Sequence, residues 1–168
     1  MDRVIKILEG VNRAGVDNVV EYLRASNYST ATCYSHHTYK GGLKDHSLEV
    51  YDLMMACRGD LPMDSIAICA LLHDLGKSRL RGYECRGDHP SRAVAILDRC
   101  DFELTEDERF AIVHHHSKSA SYFSHPLRHC LSKSDMGSTG SWKLNHPKAN
   151  ESAGKRMKNA LLYLLSKY

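Results

Sequence analysis

Leu71-Leu72-His73-Asp74-Leu75-Gly76-Lys77 sets a histidine beside a carboxylate inside an apolar run, and the rest of the chain can be read outward from it. Upstream, Pro62 suits the first position of a helix running through Ile66, Cys69, Ala70, Leu72 and His73. Apolar residues on nearly all its sides mark that helix as the buried centre of the protein. On a helix, neighbouring residues are about 100° apart, so His73 and Asp74 both reach an ion placed over the edge between them, with Lys77 on the same face. A lone His-Asp pair says little. Its company says more: His46 upstream, His89 and the triplet His114, His115, His116 downstream, then Asp135 in Leu131-Ser132-Lys133-Ser134-Asp135-Met136.

The flanking segments also have helical spacing. Leu43, Ser47, Val50 and Met54 predict a helix to Cys57 behind Gly41-Gly42, with His46 in its first turn. Gly82 to Pro90 is a polar connection, and Ala93, Val94 and Leu97 carry a helix to about Cys100. Thr105-Glu106-Asp107-Glu108 fits a capping box ahead of Phe110, Ile112 and Val113, and that helix delivers the His triplet at its C-terminal end. Pro126 to Met136 predicts a helix carrying Asp135, followed by a loop from Gly137 to Asn150 with the only tryptophan, Trp142. Val16, Val19, Val20 and Leu23 predict one or two short N-terminal helices, and Ser26 to Gly42, with His36 and His37, a loop that covers or lines a cleft. The tail, Ala153 to Tyr168, sets Met157, Ala160, Leu161 and Leu164 opposite Lys155, Arg156, Lys158 and Lys167, an amphipathic closing helix. With no strand pattern, repeat or interdomain linker, the expectation is an all-α, single-domain helical bundle over residues 1–168.

At 168 residues, with 42% hydrophobic and 26% charged side chains, the composition is that of one ordinary folded domain. A net charge of +3 favours an anionic substrate slightly and falls short of a dedicated nucleic-acid coat. Asp2, Arg3, Lys6 and Glu9 interrupt the N-terminus, which therefore lacks a signal-peptide core, and no apolar run approaches a membrane span. A cytoplasmic location with reduced thiols is expected. Cys33, Cys57, Cys69, Cys85, Cys100 and Cys130 form no C-x-x-C spacing and read as small core residues.

Neutral imidazole and carboxylate together suit divalent manganese, iron, zinc, nickel or cobalt, and the absence of thiolates argues against a structural zinc site. His46, His73, Asp74 and Asp135 are the candidate ligands of one ion; His89, His115 and His116 are the extra ligands if a second binds. An ion with open positions makes a nucleophile of its water and polarises a phosphoryl oxygen, the basic requirement of phosphoester hydrolysis. Lys77 would hold a phosphate oxygen beside the ion, or serve as a helix-end cation, and the two roles are compatible. Arg79, Arg81 and Arg92 are candidate phosphate contacts through the guanidinium fork. Tyr122 and Trp142 either stack a base or pack, and His36, His37, His125, His129 and His146 read as hydrogen-bonded structural residues.

His46, Leu72-His73-Asp74-Leu75-Gly76-Lys77, His89, the His-His pair and Asp135 resemble the HD-domain metal-dependent phosphohydrolase superfamily, over about His36 to Asp135. The resemblance implies a helical bundle in which the ordered signature H...HD...D supplies the metal ligands His46, His73, Asp74 and Asp135, with Asp74 and Lys77 as catalytic residues. Magnesium joins the candidate metals. Two-metal members add a histidine and a His-His pair, which carries over to His89, His115 and His116, with the register of the triplet open by one. His36 to Val50 and Gly87-Asp88-His89-Pro90-Ser91-Arg92-Ala93 are similar to the HD part of bacterial 3′-to-5′ exoribonucleases and to HD regions of some relaxase-associated proteins. No strand pattern corresponds to the OB-type domain that those exoribonucleases carry ahead of it. The implied activity is hydrolysis of a phosphate ester, of a nucleotide or another small phosphorylated substrate, through a metal-activated water. A 3′-to-5′ nuclease on single-stranded RNA or DNA is one alternative; a non-catalytic, metal-containing domain that senses a nucleotide or binds a partner is another. Nothing in the pattern speaks to oligomeric state.

Overall fold

The computed structural model describes residues 1–117 and 125–145, and every regular element among them is helical. The order is α1 (Asp2–Leu8), α2 (Val16–Ala25), α3 (Gly42–Cys57), α4 (Met63–Leu72), a 3-10 turn (Leu75–Lys77), α5 (His89–Arg99), α6 (Glu106–His114) and α7 (Pro126–Asn145). In α4 every residue from Ser65 to Leu72 is buried. A helix apolar all round has no solvent face, and α4 accordingly packs against α1, α3, α6 and α7. Around it α3 lies on α7, and α5 lies on the 3-10 turn and on α6. Among the described residues no helix is long and apolar enough to cross a membrane.

The start of α6 is fixed by the expected capping box: Glu108 N–H donates to Thr105 Oγ1 at 3.2 Å, and Thr105 N–H donates to Glu108 Oε2 at 2.8 Å. The Glu108 carboxylate is fully buried, and it also accepts from both Arg13 guanidinium nitrogens, at 2.9 and 3.1 Å, and from Ser65 Oγ at 2.7 Å. One side chain thus ties the α6 N-terminus to α4 and to the segment after α1, and a buried carboxylate held this way is paired and satisfied. At α5, Asp88 caps the helix by accepting from Ser91 N–H at 3.0 Å, which makes His89 the first helical residue.

Three local expectations are corrected. Pro62 is the N-cap of α4 and not its first residue, and α4 ends at Leu72, so His73 and Asp74 leave the helix together. Asp74 takes φ −100° and ψ 11°, and the chain tightens through Lys77 N–H to Asp74 O and Ser78 N–H to Leu75 O, both 2.9 Å. The tight turn seats Gly76 against the start of α5, where a Cβ would stand 2.1 Å from His89 O. No larger residue fits there.

The second correction is α7, which continues through Gly137 and Gly140 to Asn145 where a loop was expected. Asp135, Ser138 and Trp142 follow at i, i+3 and i+7 and are all buried. Burial of that stripe outweighs the low helix propensity of the glycines, and Gly137 leaves room for Leu53 Cδ1. The third is among the cysteines: Cys33, Cys69, Cys100 and Cys130 are buried, but Cys57, the last residue of α3, is exposed and Cys85 is half-buried. Tyr122, His146 and the tail from Ala153 to Tyr168 lie outside the described residues.

Candidate metal centre

His46 projects from the first turns of α3, His73 and Asp74 from the end of α4, and Asp135 from the middle of α7. His89 opens α5, and His115 and His116 follow the end of α6. The Asp74 carboxylate stands between the two sets. Its Oδ2 lies 3.6 Å from His46 Nε2 and 3.5 Å from His73 Nε2, while its Oδ1 lies 3.3 Å from His89 Nε2 and 4.0 Å from His115 Nε2. Asp135 spans the sets from the other side, with Oδ1 at 3.1 Å from His46 Nε2 and Oδ2 at 3.6 Å from His116 Nδ1. Among the described residues three clusters of potential ligands result: His46, His73 and Asp135; Asp74, His89, His115 and His116; and, without a carboxylate, His36, His37 and His46. His114 turns away and packs on Phe110.

Hydrogen bonding on the far side of each ring selects the tautomer. A carbonyl can only accept, so His73 Nδ1 donates to Ala70 O at 3.0 Å and His115 Nδ1 donates to Ile112 O at 2.6 Å. Ser138 Oγ donates its one proton to Glu49 Oε2 at 2.8 Å, and its lone pair then accepts from His46 Nδ1–H at 2.9 Å. All three rings therefore present a bare Nε2 to the carboxylates. His46 Nε2, His73 Nε2, His115 Nε2 and Asp74 Oδ1 are buried with no hydrogen-bond partner. Short as the His46–Asp135 separation is, no aligned hydrogen bond spans it. Buried lone pairs that face one another without a proton repel, and a cation among them removes the penalty. The donor set fits a divalent metal.

The charge states agree. Burial disfavours the charged imidazole and lowers His73, while it takes His115 to about 3 and His89 to about 4, so these rings are neutral at neutral pH, the form that ligates. For Asp74, burial would raise the pKa, but in acid, where buried rings begin to take up protons, His73 together with Lys77, His46 and His115 holds it well below the usual carboxylate range. Asp135 is lowered likewise, burial being outweighed by His46 and His73. Two ionised carboxylates thus face a single ammonium, that of Lys77, which donates to Asp74 Oδ2 at 2.5 Å. Burial opposes the Lys77 charge, and Asp74 more than restores it.

Lys77 also lines a cleft of about 400 Å³ with Arg79, Arg81, Arg92, Tyr34 and Tyr83. The three arginines do not stand alike. Arg92 spends its guanidinium on backbone, donating to Gly76 O at 3.0 Å and Gly87 O at 2.8 Å, which holds the 3-10 turn to the start of α5. Arg79 and Arg81 are exposed on the cleft wall. Trp142 is packed inside, its ring 5.8 Å from that of His37, and is closed to base stacking.

Sequence reasoning missed Glu49 and Ser138. Besides accepting from Ser138, Glu49 Oε2 accepts from His37 Nε2–H at 3.2 Å, which leaves His37 Nδ1 to accept from His36 Nδ1–H at 3.0 Å. The His36 and His46 rings are 4.5 Å apart, so His36 and His37 form a buried wall behind His46. The backbone permits this because His37 O comes within 1.9 Å of where a Cβ on Gly42 would be. Glu49 lies three residues after His46 on α3, and Ser138 three after Asp135 on α7. That i, i+3 spacing was the available signal, hidden at Ser138 by the expected helix end.

Among the described residues, an all-helical bundle turns histidines and carboxylates from five segments onto one another, in groups able to hold a divalent metal. A sequence model of the HD domain matches residues 43–153, and the chain belongs to the HD domain family. None of the curated proteins and none of the solved structures compared with it matches. HD domains form a superfamily of metal-dependent phosphohydrolases.

Proposed function

We propose that this protein hydrolyses a phosphate ester of a nucleotide or similar small molecule at a two-ion centre. His46, His73 and Asp135 would hold one ion and His89, His115 and His116 the other, with the Asp74 carboxylate lying between the two sets. The observation that carries this reading is the set of four buried, partnerless atoms, Nε2 of His46, His73 and His115 and Oδ1 of Asp74. A divalent ion held there acidifies a coordinated water and polarises a phosphoryl oxygen. The chain's own part is orientation. Lys77 fixes the Asp74 carboxylate and lines the adjoining cleft, where Arg79 and Arg81 receive the substrate's phosphates. Arg92 acts by keeping Gly76, and with it Lys77, in place.

Metal analysis of the purified protein, with manganese-supplemented assays on a nucleotide panel and on labelled single-stranded oligonucleotides, tests the proposal against Asp74→Ala. Equal metal content and equal phosphoesterase activity in both proteins refute it. The likeness of His36 to Val50 and Gly87 to Ala93 to exoribonuclease segments is the ground for the oligonucleotide arm. Stepwise 3′ shortening there, with mononucleotides untouched, would assign a nuclease. Thermal stabilisation by a nucleotide without turnover would assign a sensor.

A further inference from the structure

We propose that Cys57 and Cys130 form a modification site, a dithiol that a small disulfide oxidises to a covalent link between α3 and α7. The two residues are 73 positions apart, yet their sulfurs lie 3.2 Å from each other. No local motif brings them together; the packing of α3 on α7 does, and it aims both thiols into one space. Ser134 Oγ stands 3.9 Å from Cys57 Sγ, and Met54 O stands 3.9 Å from Cys130 Sγ, so both sulfurs are held by neighbours.

The site is open to a reagent. Cys57 and Cys130 line a cleft of about 490 Å³ with Arg58, His129 and Lys133, opposed by Asp60. That lining suits a low-molecular-weight disulfide bearing carboxylates, of which oxidised glutathione is the common type. The two thiols differ in environment, which sets the order of events. Cys57 is exposed, whereas burial pushes the Cys130 thiol up to about 12. Thiolate is the nucleophile, and only the exposed Cys57 is within reach of a reagent in solvent, so Cys57 reacts first. Its thiolate attacks one sulfur of the small disulfide, forming a mixed disulfide and expelling one thiolate, which takes a proton from solvent. Cys130 then loses its proton and attacks Cys57 Sγ, expelling the second thiol. Two protein thiols and one small disulfide become one protein disulfide and two small thiols. Under reducing conditions the reverse exchange restores the dithiol.

The bond ties together the helices that carry His46 and Glu49 on one side and Asp135 and Ser138 on the other. It closes a long loop, and by the usual size of that effect the oxidised protein melts roughly 5–15 °C higher than the reduced one.

The full-length protein, fully reduced and then exposed to increasing oxidised glutathione, is digested without reduction and mapped by mass spectrometry. The expected product is a Cys57–Cys130 peptide pair lighter than the dithiol by two hydrogens, reversed by a thiol reductant, with the melting temperature raised in parallel. Cys130→Ser should stop at the glutathione mixed disulfide on Cys57, and Cys57→Ser should give no link at Cys130. A wild-type protein that stays folded and carries only a stable mixed disulfide at Cys57, or links either residue to a different cysteine, overturns the proposal. Metal content and activity play no part in these readouts, so failure here is separate from failure of the phosphohydrolase reading.

Discussion

Replacing Ser138 by Ala removes two oxygen-mediated contacts and nothing else. Ser138 Oγ accepts from His46 Nδ1–H at 2.9 Å and donates to Glu49 Oε2 at 2.8 Å, and both Ser138 and His46 are buried. In the variant the His46 Nδ1–H has no acceptor, an orphaned buried donor that costs about 1–3 kcal/mol. The ring is then free to turn or to change tautomer, and a proton moved to Nε2 blocks the lone pair a metal needs. Loss of such a supporting hydrogen bond typically lowers metal affinity about 10–100-fold, which is ~1.4–2.8 kcal/mol. The assay is titration of the chelator-stripped protein with manganese and zinc, followed by competition with a metal-sensitive dye, with the apo melting temperature recorded alongside. Glu49→Gln, which keeps an acceptor for Ser138 but removes its charge, should fall between Ala and wild type. A folded Ser138→Ala protein that binds both metals within twofold of wild type would refute the role given to this relay.

Further outcomes follow from the same contacts. Lys77→Met leaves the buried Asp74 carboxylate without its cation, so the apo protein should lose roughly 3–5 kcal/mol in urea denaturation; because bound metal replaces that charge, the loss should shrink in the holoprotein, and an equal loss in both forms contradicts the pairing. Glu108→Ala breaks the capping box and leaves Arg13 with only its bond to Glu103 O, and a cost of about 3–5 kcal/mol is expected, with circular dichroism showing a lower melting temperature and a near-wild-type value counting against it. Acid should destabilise the apo protein. Burial lowers His89 to about 4 and His36 and His115 to about 3, against 6.5 when unfolded. Between pH 6.5 and 4 the unfolded chain therefore binds protons that the folded one refuses, and stability falls as pH drops, by up to ~1.4 kcal/mol per pH unit for each histidine. Asp74 and Asp135, held low in the folded state, add to the loss only below the usual carboxylate range. Denaturation midpoints at pH 7, 6 and 5 that do not differ would contradict this.

Much of the helical plan was legible in the sequence because it is written in local, periodic terms. The apolar run through Leu72 predicts a buried central helix, and Thr105 with Glu108 predicts the α6 start, since a cap is a contact between residues three apart. The order His46, His73, Asp74, Asp135 marked candidate ligands, because residue type limits which side chains can hold a metal, and the fold brings these four side chains together. What the sequence could not reach depends on contacts between distant segments. The exit of His73 and Asp74 from the helix is set by Gly76 meeting His89 O, and the length of α7 by the burial of Ser138 and Trp142 against α3 and the 26–41 loop. The His triplet is the clearest case. Three consecutive histidines are equivalent as letters, and only the end of α6, by directing His115 and His116 to the carboxylates and His114 to Phe110, separates them. Likewise Cys57 and Cys130 are unremarkable in sequence and become a pair only where α3 and α7 meet. The sequence alone determined which chemistry the side chains can do, because that resides in each residue and its near neighbours; the tertiary structure decided which of them do it together, because only folding sets distances between residues far apart in the chain.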